Sequence, residues 1–364
     1  MKITHISQLL PLVETMPEFV VIDKGDYQVI DYVYQDQHTF DNPDLMECRG
    51  IKFDADGFIL ARPFRKFFNY GERGADMPAH RPHVITEKLD GSMIHPVLLT
   101  HRKFFYLHTR KGLTDVSRKA ERFVLSANVD YRQFCKMCLL SGWTPIFEYT
   151  SPNNRIVLRY EEDDMRLLAM RNTMTGEHRT QADMRAIAEA YQIPVARTYQ
   201  WDLTGDLAGF VKHTRELQDA EGFVVYFDDG YMVKIKAEDY VLKHRALDDL
   251  GSKKKVVALC TQGFMDDVLP ILSEADASEL IAFHDELQHE IAKLTKVAEG
   301  HAWCVTRGEI SRKDWALHYA PMIKPQWLAG VCFGVMDGKD ARMMMLKAVE
   351  RGGYEDMPVQ WRGQ

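Results

Sequence analysis

The hydrophobic pattern of the chain changes period near residue 245. Before that point, short runs of alternating apolar and polar residues are separated by Gly- and Asp-rich turns, as in half-buried strands. Residues 19–23 and 27–34 flank Lys24-Gly25-Asp26, and 50–54 and 57–61 flank Asp54-Ala55-Asp56-Gly57. Further strands are expected at 145–149, 155–160 and 165–170, with a hairpin of 223–227 and 231–236 around Asp228-Asp229-Gly230. Helical spacing predicts a short helix within 1–15 capped by Thr4 or Ser7. It predicts another across 115–140, where Val116, Ala120, Phe123, Val124 and Ala127 recur, and two more at about 181–191 and 205–219. Asp248-Asp249-Leu250-Gly251-Ser252-Lys253 reads as a linker or exposed turn. Beyond it the spacing is helical at 253–263, 277–298, 311–319, 325–335 and 339–350. The pattern predicts an α+β domain over 1–245 and an all-helical domain over 246–364, with no internal repeat.

Composition narrows this little. With 364 residues, 46% apolar and 27% charged, the chain can build two cored domains. No apolar run approaches the ~20 residues that span a bilayer. The start, Met1-Lys2-Ile3-Thr4-His5, lacks the apolar core of a secretory signal, so a cytoplasmic monomer is expected. The cysteines at 48, 135, 138, 260, 304 and 332 are scattered, as free thiols would be. Cys135 and Cys138 form a C-x-x-C without a second pair, and their apolar surroundings predict core packing rather than zinc. A net charge of −7 argues against non-specific coating of nucleic acid, but not against basic residues gathered at one site.

The stretch with the most chemistry is Glu87-Lys88-Leu89-Asp90-Gly91-Ser92. A lysine ends an apolar run, an Asp-Gly turn follows, and the apolar run 93–99 is expected to resume the sheet. In the hairpin Glu221-Gly222-Phe223-Val224 … Val233-Lys234-Ile235-Lys236, alternation puts both lysines on one face and Val233 and Ile235 toward the core. Ammonium groups ~7 Å apart on one face repel unless an anion lies between them. In Phe147-Glu148-Tyr149 a carboxylate sits in an apolar strand, where it needs a partner, either a ligand or an arginine such as Arg155 or Arg159. Basic and aromatic residues alternate in Arg62-Pro63-Phe64-Arg65-Lys66-Phe67-Phe68, downstream of Glu47-Cys48-Arg49-Gly50-Ile51. That suits phosphate contact and base stacking as well as it suits plain core.

Taken together, Lys88-Leu89-Asp90-Gly91-Ser92, Phe147-Glu148-Tyr149, Glu221-Gly222-Phe223-Val224 and Lys234-Ile235-Lys236 match the ordered motifs of covalent nucleotidyltransferases. Cys48-Arg49-Gly50-Ile51, Lys66-Phe67-Phe68-Asn69, Ser151-Pro152-Asn153-Asn154-Arg155-Ile156-Val157 and Tyr240, four residues past Lys236, narrow the match. The chain resembles the phage RNA ligase 1 family, of the bacteriophage T4 type, over roughly residues 20–245. The resemblance implies a nucleotidyltransferase domain of antiparallel sheets flanked by helices, followed by a helical domain that recognises structured RNA. It implies an ATP-dependent RNA ligase that joins 5′-phosphate and 3′-hydroxyl ends through lysyl-AMP. Substrates would be single-stranded ends or a tRNA broken in its anticodon loop, with a kinase/phosphatase healing the ends.

The resemblance implies that Lys88 would be the nucleophile. By it Arg49, Lys66 and Lys234 would contact the β- and γ-phosphates, Lys236 the α-phosphate, and Phe68 would stack on adenine. Glu148 would hold the ribose, Glu221 would engage hydrated Mg²⁺ or Mn²⁺, and Glu87, Gly91, Lys111 and Tyr240 would line the nucleotide site. A nucleophilic lysine must be neutral. Bringing it from ~10.4 to half-deprotonation near pH 7.5 costs roughly 4 kcal/mol, to which burial and neighbouring cations contribute. The alternatives are another nucleotidyltransferase, a DNA ligase or capping guanylyltransferase, for which a barrel of short strands after Lys236 is missing. A non-catalytic RNA-binding protein on the same fold is the remaining one. Lys253-Lys254-Lys255 reads as a solvated helix start, and Trp303, Trp315 and Trp327 as packing residues.

Overall fold

The computed structural model describes residues 1–99 and 104–361, in two compact units, Met1–Val241 and Leu242–Gln364. In the first unit, the described residues form three four-stranded antiparallel sheets. Strands β1 (Phe19–Asp23), β2 (Tyr27–Tyr32), β3 (Ile51–Asp54) and β4 (Ile59–Ala61) pair in sequence order. The others are β5 (His83–Glu87), β6 (Ser92–Leu98), β7 (Phe105–His108), β8 (Trp143–Thr150), β9 (Asp164–Asn172), β10 (Thr198–Tyr199), β11 (Gly222–Phe227) and β12 (Met232–Lys236). They sort into a β10-β5-β11-β12 sheet and a β7-β6-β8-β9 sheet. Ile146, Ala169, Val224, Tyr226 and Met232 form one buried cluster, so these two sheets pack face to face. Helix Leu203–Arg215 covers the outer side of the first, and helices Asp115–Ser126, Tyr131–Leu140 and Gln181–Ala190 cover the second.

This topology corrects the expectation that the run after Asp90-Gly91 resumes the same sheet. Strands β5 and β6 belong to different sheets, so the turn after Lys88 is a crossing between them. Three local expectations also change. Residues 115–140 are two helices, because the Asp130 carboxylate accepts the amide of Gln133 and starts a second one. Residues 155–160 are not a strand: the amides of Val157 and Leu158 donate to Asp90 Oδ2 at 2.8 and 2.7 Å. At the N-terminus the cap is His5, whose ring accepts from the Ser7 amide. Cys135 and Cys138 are buried in core, and no group of three metal-ligating side chains occurs among the described residues.

In the second unit, helix Glu274–Thr306 presents Leu280, Phe283, Leu287, Ile291 and Ala298 to a core shared with helices Lys253–Gln262, Trp327–Met336 and Ala341–Glu350. The expected linker is mostly helix. Glu238–Leu250 runs through Asp248 and Asp249 because Ala246 and Leu250 are buried, and only Gly251 and Ser252 break it. Trp315 is fully buried and Trp327 donates to Asp356. Trp303 departs from the expectation: it is 48% exposed, with the Arg307 guanidinium 4.5 Å from its ring. No described helix is long and apolar enough to cross a membrane.

One buried feature has no sequence signature. His95 and His108 face each other across β6 and β7, both fully buried, and among the described residues none of their four ring nitrogens has a hydrogen-bond partner. Burial, with Lys52 nearby, holds His95 well below its ordinary pKa and His108 down at about 3. Both stay neutral in the fold at pH values where the unfolded chain protonates them near 6.5. The stability they permit is therefore complete above pH 6.5 and is lost as pH falls toward 3, by about 1.4 kcal/mol per pH unit for each histidine. Urea unfolding at pH 7 and pH 5 should show a marked drop in midpoint, smaller in the His95→Leu/His108→Phe protein. An equal drop in both proteins would contradict this account.

Candidate active site

Strand β5 delivers Lys88 to the crossing between the two sheets. Its amide donates to the carbonyl of Gly222 at 2.9 Å, which ties the residue after β5 to the start of β11. Lys88 Nζ lies 2.8 Å from Glu221 Oε2, and Lys236 Nζ lies 3.0 Å from Glu221 Oε1. Glu221 is 4% exposed and bridges the two ammonium groups. Gly222 has φ +131°, and a Cβ there would sit 2.0 Å from the Ile235 carbonyl, so only glycine lets β11 approach β12 this closely. The pair Glu221-Gly222 is thus placed by backbone geometry, and β12 alternation carries Lys234 and Lys236 to the same face.

Asp90 fixes the far side of the crossing. Besides the amides of Val157 and Leu158, its carboxylate accepts the Tyr240 hydroxyl at 2.7 Å, and its own amide donates to the Tyr160 hydroxyl at 3.0 Å. At Gly91 a Cβ would meet the Tyr149 carbonyl at 2.3 Å. Gly91 therefore serves the close passage of the chain over β8. Sequence reasoning missed Asp90 as an anchor and Tyr160 altogether, since Tyr160 sat in a run that reads as strand. Tyr240 is buried, with the Lys236 ammonium 4.8 Å from its ring. Burial, with Glu221 and Asp90 beside it, raises its phenol well above the ordinary range.

Two groups here have shifted protonation. Burial raises the Glu148 carboxyl to about 8 against the pull of Lys88 and Arg49, with Glu221 adding to the rise. Its strongest cationic neighbours are thus Lys88 and Arg49. Burial also lowers Lys234 to about 7, assisted by Lys88, Lys66, Arg49 and Lys236. One amine feels all four of these cations, which makes this face a place for a polyanion. The phenol of Tyr32, which burial would raise, is brought below its ordinary value by Lys66, Arg49 and Arg110.

The carboxylate two residues before Arg49 is buried and fully paired, while the Arg49 guanidinium reaches the Phe64 carbonyl at 3.5 Å. Glu47 accepts from Arg62 at 3.0 Å and from both Arg171 amino groups at 2.7 and 2.9 Å; burial would raise it, but these guanidiniums bring it down to about 2. Lys52, fully buried, donates to the carbonyls of Gly50, Thr109 and Arg110, which brings the 109–112 turn against Gly50. From this turn Arg110 pairs with Asp31 at 3.0 Å and lies 4.8 Å from the Tyr32 ring, while Lys111 points into solvent. The structure gathers Arg110 with Arg49 and does not bring in Lys111. Glu87 accepts from Arg166 at 3.1 Å and from the Arg197 amide at 2.8 Å.

Lys66 sits among the rings of Tyr32, Phe40 and Phe68, with its ammonium 5.4–5.6 Å from each. Phe68, expected to stack on adenine, lines a cavity beside Lys66. Phe68 is 8% exposed, packed on Phe40 in the core of the β1–β4 sheet, with Lys66 and Arg73 over its ring. Its neighbour Phe67 is the more open ring and lies 5.1 Å from the Lys234 ammonium.

A hard divalent cation fits this donor set. Mg²⁺ takes one or two carboxylates and completes its shell with phosphate oxygens and water. Glu221, with Glu148 close enough to feel its charge, offers such a partial shell.

A sequence model described as RNA ligase, of the T4 RNA ligase 1 type, matches residues 47–241. RNA ligase 1 of bacteriophage TS2126 is 27% identical over 330 residues, 85% of this chain and 80% of that protein. A provisionally named RNA ligase of Thermovibrio ammonificans is 28% identical over 291 residues, 77% of this chain and 74% of that one. An archaeal ATP-dependent RNA ligase structure superposes with a TM-score of 0.49 at 14% identity, covering 80% of this chain and 79% of that one. The family match spans more than half of the sequence and every strand from β3 to β12. The chain belongs to the RNA ligase 1 family of phage-type RNA ligases.

Proposed function

We propose that the protein joins RNA ends at the expense of ATP, with Lys88 as the covalent carrier. The observation that carries this is the Glu221 carboxylate bridging Lys88 and Lys236 at 2.8 and 3.0 Å, with Lys234 beside them. A strand-end lysine held against a carboxylate, within a cluster of cations, suits attack on a phosphoanhydride. The Lys88 amine attacks the α-phosphorus of ATP, a P–N bond forms, and the α–β P–O bond breaks to release pyrophosphate. The 5′-phosphate of RNA then displaces Lys88 to give a 5′–5′ anhydride, and a 3′-hydroxyl displaces AMP to leave a phosphodiester.

Arg49, Lys66 and Lys234 offset charge on the β- and γ-phosphates, and Lys236 faces the α-phosphate. Glu148, protonated near neutral pH, can donate to a ribose hydroxyl. Bound Mg²⁺ or Mn²⁺ supplies further neutralisation of phosphate charge. Glu221 is the carboxylate that would hold such an ion. Tyr240 and Asp90 keep the crossing rigid. Residues 1–245 form the adenylyltransferase domain and 246–364 the RNA-recognition domain, for broken tRNA among other RNAs, in the cytoplasm and as a monomer. Its substrates require a 5′-kinase and a 3′-phosphatase upstream.

A 5′-phosphorylated, 3′-hydroxyl oligoribonucleotide incubated with the protein, ATP and Mg²⁺ should yield a circle resistant to phosphatase. GTP should not substitute. Absence of any joined product, with the protein folded, would leave an RNA-binding protein without catalysis.

A further inference from the structure

A cavity of about 400 Å³ lies next to the lysine cluster, bounded among others by Arg65, Lys66, Phe67, Arg73 and Tyr231. Its position follows from β12. Lys236, Lys234 and Met232 alternate onto one face of that strand, in steps of ~7 Å. Met232 lines the cavity, so the cavity begins one step beyond Lys234 on the side away from Lys88 and Lys236. The segment before it is fixed alongside: the Lys234 amide donates to the Phe68 carbonyl, and the Tyr70 amide donates to the Lys234 carbonyl.

Two of the three cations lining this cavity have no carboxylate partner among the described residues. The Lys66 side chain is 9% exposed and surrounded by rings, and Arg65 bonds only the Pro43 carbonyl at 3.5 Å and Met46 Sδ at 3.1 Å. Among the described residues neither is paired with a carboxylate. Arg73 is paired with Asp41, and Asp229 at the rim is paired with Arg81. A cation nine-tenths buried without a counter-ion is costly until an anion arrives. Phe67 and Tyr231, the latter 36% exposed, add aromatic surface to the same walls.

In-line displacement identifies the anion. Attacking and leaving groups lie on opposite sides of the phosphorus. With Lys234 on the β- and γ-phosphates, as proposed above, pyrophosphate leaves on its side when Lys88 attacks ATP. When Lys88 is itself displaced, the incoming 5′-phosphate must approach from that same side. We propose that this cavity receives the 5′-phosphorylated end of the RNA, its phosphate on Arg65 and Lys66 and its terminal base against Phe67 or Tyr231. This rests on the reading of Lys88 as carrier.

The test separates the steps. Arg65→Glu, Arg65→Lys and wild-type protein are first compared for labelling by α-labelled ATP. Each is then compared, once adenylylated, for AMP transfer to a 5′-phosphorylated oligoribonucleotide in a single turnover. Arg65→Glu should lower transfer at least tenfold more than it lowers labelling, and Arg65→Lys should restore most of the loss. Equal loss in both steps would assign the cavity to the triphosphate alone, and no loss in either would leave it without a ligand; both overturn the proposal. A parallel binding measurement compares 5′-phosphorylated with 5′-hydroxyl oligoribonucleotide on unlabelled protein. Wild type should prefer the phosphorylated strand and Arg65→Glu should not. If wild type takes no label, the carrier reading fails, and the binding arm still tests the cavity.

Discussion

Lys88→Ala protein is expected to take no label from α-labelled ATP, and Lys88→Arg should behave the same. The two substitutions fail for different reasons. Alanine removes the nucleophile. Arginine keeps a cation beside Glu221, but a guanidinium stays protonated in proteins and offers no lone pair to phosphorus. Loss of an attacking group with no substitute nearby is worth roughly a thousandfold or more. Lys88 side-chain exposure is 21%, so neither change should unfold the β5–β6 crossing, which is held by the Lys88 backbone amide and by Asp90. Similar urea midpoints for both variants and wild type are the control. Label retained in either variant would remove Lys88 from its role.

Glu221→Gln is expected to lower protein labelling at least a hundredfold while nearly preserving side-chain shape. The carboxylate is almost fully buried and offsets two ammonium groups, one on each oxygen. Breaking a buried ion pair costs ~3–5 kcal/mol, and the partial exposure of Lys88 and Lys236 reduces that here. What remains is still a site with uncompensated like charges and without the Glu221 carboxylate for a divalent cation. Labelling across a Mg²⁺ titration reads the second effect: the variant should need far more Mg²⁺, or fail to respond. A wild-type Mg²⁺ curve in Glu221→Gln would show that this carboxylate only organises lysines.

What could be read from the sequence was what depends on neighbours along the chain. Strand alternation correctly put Val233 and Ile235 inward and Lys234 and Lys236 outward, because period and face are local properties. The sheet to which a strand belongs is not local. Both flanks of Asp90-Gly91 look like arms of a hairpin, and only the tertiary fold sends β5 and β6 to different sheets. The run Arg155-Ile156-Val157-Leu158 has the residues of a strand, yet its amides are claimed by a carboxylate 67 and 68 positions earlier in the chain. Phe67 and Phe68 are neighbours, as are Arg110 and Lys111. That Arg110 rather than Lys111 joins the cations, and that Phe68 is the more buried of the two rings, is decided by contacts with Tyr32 and Phe40, which no spacing rule reports. The neutral pair His95 and His108 likewise arises from cross-strand register. Helix breaks at Asn128-Val129-Asp130 and Gly251-Ser252 follow local rules, but a single N-cap or a buried leucine was enough to shift their positions.

The central claim is that one amine, at the crossing of two sheets, captures adenylate. Peptide mapping of wild-type protein after incubation with α-labelled ATP and Mg²⁺ tests it most directly. The account predicts an acid-labile, base-stable adenylate on the peptide that carries Lys88 and on no other. Label on Lys234 or Lys236, or a stable complex with no covalent bond at all, would contradict it.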